Sequence, residues 1–432
     1  MVKEIKNGRL YFDGCDTVEL AKNYGTPVYV MSQTDIEDKM NAVHKDFLDK
    51  YPNTHAAFAS KAFCTTAMLK ICEKNGFSID VVSGGELFTA IKAGFPGERI
   101  EFNGNNKQLS EIEMAVDYGV GTFIIDGLQE IPLIEKVCKE KGKKVNAIIR
   151  ITPGVAASTH DYIVTGKKDS KFGVPLDDDV FFPLVKQAID SEYINFRGLH
   201  MHIGSQLFEN DAFVKATNVL VDNVAEIKKR FGADTYELNV GGGFGAIYIN
   251  EERKPYSFFL DPIMETIYKR FDEMGMARPE VGIEPGRSIV AEAGITLYTV
   301  GQIKDVKGIR KYVAIDGGMY ENIRPALYQA EYTGVVANKA DAAHNQTVTL
   351  CGKCCESGDI IIQNAKVPGD IEAGDIFATY STGAYGFSMA SNYNSNPTPG
   401  VVLVHNGKSA WAVKPQTYEQ LMQNQEIPAD IM

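Results

Sequence analysis

Residues 54–82 read THAAFASKAFCTTAMLKICEKNGFSIDVV, and they hold one complete unit of the pattern that decides the fold. A short apolar run, His55–Ala59, gives way to a stretch with helical spacing, Thr65–Asn75, whose apolar positions are Met68, Leu69, Ile71 and Cys72. A glycine turn then leads into a second apolar run, Ile79–Val82. Strand, helix and strand in that order imply parallel strands joined by a helical crossover. Outward from this unit the theme continues through Ile100–Phe102, Thr122–Ile125, Asn146–Ile151, Phe196–Ile203, Tyr236–Val240 and Val281–Glu284. Eight runs over roughly 230 residues is the number and span of a (β/α)8 barrel. Ser110–Tyr118 adds a helix that opens with Ser110 and Glu113 in a capping-box arrangement.

After residue 290 the texture turns to β, with runs at Ile295–Val300, Tyr312–Ile315, Thr347–Leu350, Asp359–Ile362 and Ile376–Tyr380. The predicted fold class is therefore α/β: a (β/α)8 TIM-like barrel over residues 31–289 with a second, mostly antiparallel β domain over 290–432. The first 30 residues, with strand-like Leu10–Phe12 and Val28–Met31, are expected to join the β domain. Between the fifth and sixth runs lie about 45 residues, including the polar, glycine-bearing Thr159–Gly173, which is long for a plain connection and is expected to be a functional loop.

A chain of 432 residues with 44% apolar and 23% charged residues has the composition of a globular protein with a substantial core. It has no apolar run of the roughly 18 residues a membrane helix needs. The net charge of -12 repels phosphate backbones and anionic lipids, which argues against nucleic acid and membrane surfaces and for a small-molecule partner. Seven scattered cysteines suit a reducing compartment, and the first ten residues lack the basic and apolar segments of a secretory signal, so a cytoplasmic place is expected.

Barrel chemistry sits where the strands end. Those positions carry Lys61, Ser83, Asn103, Asp126, Arg150, His200 with His202, Gly241–Gly243 and Glu284. No three-His or two-His-carboxylate set appears among them, so an organic cofactor is expected and no metal. A lysine partly desolvated at a barrel mouth is suited to Schiff-base formation, although a solvated lysine starting a helix fits the same pattern. The GGGFG run, 241–245, can turn backbone N–H groups toward a phosphate; it also reads as a tight turn, and weakly as a dinucleotide fingerprint that should open a helix. Glu284, fixed by the turn Pro285-Gly286, can hold a proton on a pyridinium nitrogen, or it can pair with Arg287. His202 shares a strand face with His200 and fits either a cofactor contact or a core histidine. The Cys351-x-x-Cys354-Cys355 run has one knuckle only, which is too little for zinc.

Taken together, FASKAF (58–63), DVVSGGEL (80–87), SKFG (170–173), HMHIGSQ (200–206), GGGFG (241–245), EPGR (284–287), RPALY (324–328), CESGD (355–359) and GAYG (383–386) resemble the alanine-racemase-like, fold type III pyridoxal 5'-phosphate enzymes. The resemblance is to their decarboxylase branch and, through CESGD and HIGSQ, to the members acting on diaminopimelate. It implies decarboxylation of meso-2,6-diaminopimelate to L-lysine, with pyridoxal 5'-phosphate held covalently by Lys61. It further implies that Asp80, His202, Ser205, Gly241, Gly242, Gly243, Glu284, Gly286, Arg287 and Tyr385 surround the cofactor. Arg287, Arg324, Tyr328, Glu356 and Tyr385 would meet substrate. A homodimer with shared sites is implied as well, Cys355 and Glu356 serving the partner. Family members commonly have Gly-Pro and an apolar residue before CESGD, where this chain has Gly352-Lys353-Cys354. A D-ornithine or D-lysine decarboxylase is the rival within the family, and a non-catalytic regulatory homologue the rival outside it.

Overall fold

The computed structural model describes residues 2–155 and 169–431. Two compact units emerge, one comprising Glu37–Ala246 and Glu252–Ile289, the other Met1–Ile36, Ile247–Glu251 and Val290–Met432.

The first unit is a closed parallel barrel. Its strands are Thr54–Ala59, Ser78–Val81, Ile100–Phe102, Thr122–Ile125, Val145–Thr152, Ile194–Met201, Glu237–Asn239 and Glu280–Ile283. Each pairs with its sequence neighbour, and the ring closes where Val281 pairs with Thr54. Residues such as Ala57, Phe58, Ile79, Val81, Phe123 and Ile148 are wholly buried, as strands covered on both faces require. The predicted runs coincide with these strands to within one or two residues. The shifts matter at two places: the sixth strand ends at Met201 and the eighth at Ile283, so His202 and Glu284 both lie just beyond a strand end.

One expectation needs correction. The helix predicted from Ser110 starts at Leu109, because Glu111, not Glu113, reaches back to accept the Gln108 N–H at 2.8 Å. Ser110 is thus inside the first turn. The later part of the long fifth connection carries Val174–Pro175, which pairs beside the fifth strand, and a helix over Asp178–Asp190. Positions 159–168 of the expected loop lie outside the described residues.

The second unit has a three-stranded antiparallel sheet near its N-terminus and a nine-stranded, mostly antiparallel sheet. Val28–Ser32 sits in the larger sheet between Gly294–Val306, antiparallel, and Gly400–His405, parallel. One apolar cluster gathers Leu10, Phe12, Val30, Ile295, Leu297 and Val402; a second gathers Tyr298, Val313, Ile315, Leu350, Val367 and Phe377.

Candidate active site

At the C-terminal mouth of the barrel, each strand hands over a polar side chain. Lys61 rides the single 3-10 turn Ser60–Ala62 directly after the first strand. Asp80, from the second strand, is buried beside Asn103, which follows the third; the Asn103 amide donates to Asp80 Oδ1 at 2.7 Å and to Glu284 Oε1 at 3.1 Å. His200 Nε2 lies 2.8 Å from that same Glu284 oxygen. Arg287, in the turn after Glu284, donates from Nε to Ser205 Oγ at 3.0 Å. The pairing of Glu284 with Arg287 that the sequence left open is thus replaced by one with His200 and Asn103.

Burial alone would push the Glu284 carboxyl up, but the charge and hydrogen bond of His200, with Lys61 and His202 nearby, outweigh it and hold Glu284 well below the usual carboxylate range. Asp80 goes the other way: burial and the Glu284 charge raise it well above that range. Burial, together with the positive charges of Lys61 and Arg150, keeps His202 far below its ordinary value. Its neutral ring accepts the Gly242 N–H at Nδ1, 3.3 Å away.

The glycine run follows the seventh strand with no helix after it; the next helix begins only at Tyr256. That removes the dinucleotide reading. Gly241 and Gly243 have φ of +72° and +109°, and a Cβ on Gly241, Gly242 or Gly243 would come within 2.4 Å of the carbonyl oxygens of Met201, Glu284 or Gly204. The backbone here presses against the loops carrying His202, Ser205 and Glu284, a placement only glycine permits.

The remaining predicted residues belong to the other unit. Arg324 opens the short helix Arg324–Tyr328, and its guanidinium lies 5.4 Å from the ring centres of both Tyr328 and Tyr385. Its Nε donates to Tyr332 Oη at 2.9 Å. Tyr385 is held at φ +64°. Cys355 and Glu356 sit on the exposed turn after the strand Gln346–Cys351, the Cys355 N–H bonded to Asn394 Oδ1 at 2.7 Å.

Reasoning from sequence noted Asn103 as a strand end without a role, and it missed Asn239 and Glu101 altogether. Asn239 closes the seventh strand, and a polar residue breaking the run Leu238-Asn239-Val240 was the available signal.

The donor set fits pyridoxal 5'-phosphate. A charged carboxylate, a neutral imidazole, a lysine and a glycine cradle meet at one barrel end, and Asp80 Oδ2, Asn103 Oδ1 and His200 Nδ1 are buried with no hydrogen-bond partner.

Comparison with known proteins places this geometry. Residues 35–291 match the family described as pyridoxal-dependent decarboxylase, pyridoxal binding domain. The chain is 44% identical to diaminopimelate decarboxylase of Bacillus subtilis over 421 residues, covering 97% of this chain and 96% of that one. Staphylococcus aureus diaminopimelate decarboxylase is 42% identical over 428 residues, with 98% and 99% of the two chains covered. A crystal structure of diaminopimelate decarboxylase from M. jannaschii in co-complex with L-lysine superimposes with a TM-score of 0.93 at 35% identity, covering 100% of this chain and 99% of that chain. By its sequence and its fold alike, the chain belongs to the diaminopimelate decarboxylase family of pyridoxal-dependent decarboxylases.

Proposed function

We propose that this enzyme removes the carboxylate at the D-configured centre of meso-2,6-diaminopimelate, releasing CO2 and L-lysine. The observation that carries the reading is Glu284: both of its hydrogen bonds fall on Oε1, from Asn103 and His200, which leaves Oε2 as an ionised acceptor for a ring N–H. Pyridoxal 5'-phosphate, when bound, supplies the sink for the electron pair left behind as CO2 departs. Glu284 would hold the proton on the ring nitrogen, and the neutral His202 would meet the ring without adding a competing positive charge. Lys61 would supply the amine that holds the group. Ser205, Arg287 and the N–H groups of the glycine run would serve the phosphate, with Asp80 and Gly286 lining the same mouth; Tyr385 is assigned to the cofactor by the family resemblance.

Arg324 and Arg287 read substrate carboxylate, Tyr328 and Tyr385 flank it, and Glu356 reads the distal ammonium. The exposure of Cys355 and Glu356 supports a homodimer in which the partner subunit's Cys355 returns a proton to the substrate carbon. Mixing inactive Lys61→Ala and Cys355→Ala chains and allowing exchange should restore part of the activity; no recovery despite proven exchange places Cys355 in its own subunit's site.

Substrate choice is tested by CO2 release from meso-diaminopimelate, D-lysine and D-ornithine. The two smaller amines lack the distal carboxylate, and leaving a buried arginine unpaired costs about 2 to 5 kcal/mol, or roughly 30- to 5,000-fold in preference. Arg324→Ala should cut diaminopimelate turnover far more than any residual D-lysine turnover. A wild-type preference for D-lysine or D-ornithine rejects the assignment.

A further inference from the structure

Beneath the barrel mouth lies a second polar chain that the proposed chemistry does not use. Asn239 is fully buried at the end of the seventh strand. Its Oδ1 accepts the Gly241 N–H at 2.8 Å, a side-chain turn spanning two residues that fixes where the glycine run departs from the strand. Its Nδ2 donates to Glu101 Oε2, from the third strand, at 2.9 Å. Glu101 Oε1 in turn lies 2.7 Å from His55 Nε2, on the first strand, and His55 Nδ1 lies 2.9 Å from Glu280 Oε1 on the eighth. The His55 ring fills the space under Gly282, where a Cβ would lie 2.5 Å from Nε2. Four strands of the barrel are thus tied to one backbone N–H of the glycine run.

A buried carboxylate and imidazole are expensive to maintain where apolar side chains would fill the same interior. The arrangement nevertheless orients every link. Burial works against a charged His55, yet its pairing with Glu101 and Glu280 holds it well above its ordinary value. The backbone N–H of Gly241 can only donate, so the Asn239 amide must present Oδ1 to it, which leaves Nδ2 for Glu101 Oε2. One amide orientation, and one position for the Gly241 N–H, follow from the chain.

We propose that Asn239, held by Glu101 and His55, is a positioning residue for the phosphate cradle: it sets the glycine run so that phosphate binds, without touching the phosphate itself. This rests on the reading of residues 241–243 as the phosphate site. It makes the phosphate increment in affinity, rather than cofactor affinity as a whole, the quantity that Asn239 controls.

The test is to titrate the full chain, freed of cofactor, with pyridoxal 5'-phosphate and with pyridoxal, following the visible absorbance of the lysine adduct. Asn239→Ala should weaken the phosphorylated form by about ten- to a hundredfold while changing pyridoxal by less than about twofold. Glu101→Gln, whose amide cannot accept from both His55 and Asn239, should shift the ratio of the two affinities in the same direction by a smaller factor, and it carries the test if Asn239→Ala does not fold. A ratio equal to wild type in the folded variants overturns the proposal, whether both affinities fall together or neither does. Wild-type protein that binds both forms equally, or neither, would instead remove the phosphate-site reading, and the proposal with it.

Discussion

Glu284 and Glu321 stand in different units of the chain and are buried alike, at 6% and 1% exposure, yet they hold opposite charge states. Glu284 has His200 at 2.8 Å and the charge of Lys61 nearby, and these overcome burial and keep it ionised. Glu321 accepts the Tyr298 hydroxyl at 2.7 Å and the Gly318 N–H at 3.3 Å. Burial and the acidic neighbours Asp359 and Asp316 outweigh those two neutral donors, and its carboxyl is pushed up to about 8. Burial is the same in both places; the partners decide. A cation within reach makes a buried glutamate an electrostatic tool, whereas neutral donors leave it a protonated hydrogen-bonding group.

The largest effect expected from this contrast is on turnover. Glu284→Gln should lower kcat by about a hundredfold or more, the loss of roughly 3 kcal/mol of transition-state stabilisation. Glu321→Gln should leave kcat within about twofold of wild type. Near-normal turnover in Glu284→Gln would mean that its charge does no chemistry.

How far the contrast could be seen in advance depends on which contacts are local. The eight barrel strands were legible because strands buried on both faces are continuous apolar runs, and Lys61, His202 and Glu284 because a barrel displays its chemistry where such runs stop. What joins them was not legible. Glu284 meets His200 across 84 residues and Asn103 across 181, and Glu101 meets Asn239 across 138; no local pattern encodes such pairs. In the β unit the hairpin Gly400–His405 and Lys408–Val413 was missed although its Asn406-Gly407 turn is a recognisable signal, because the second strand opens on Lys408 and Ser409 and is at most half buried.

A smaller effect isolates His200. With its charge gone, burial weighs more heavily at Glu284 and its carboxyl rises, so the ionised form is lost as pH falls through a range where wild type is unaffected. His200→Gln should therefore move the acid limb of the kcat–pH profile upward and cost about tenfold in rate at its acidic end, which corresponds to about 1.4 kcal/mol. An unmoved acid limb would transfer control of Glu284 to Lys61.

The smallest effect is on stability, and its sign follows from the direction in which each carboxyl is displaced. Glu284 is depressed in the folded chain, so the stability it contributes is present above the ordinary glutamate range, near 4.5, and is lost only as pH falls below it. Glu321 is raised from 4.5 to about 8, so its contribution is full below pH 4.5 and is lost as pH rises through 8. Between pH 5 and 8 the first glutamate gives no slope, and the second gives up to about 1.4 kcal/mol per pH unit. Over a chain of this length that is a fall of order 1–2 °C in melting temperature per pH unit. Glu321→Gln cannot ionise, so wild type minus variant should show this slope whatever the variant's absolute stability, which will be lowered because Glu321 Oε2 has no partner to receive an amide N–H. Melting curves of both proteins from pH 5 to 8 that run parallel would mean that Glu321 is already ionised, and the two buried glutamates would then differ in position but not in charge.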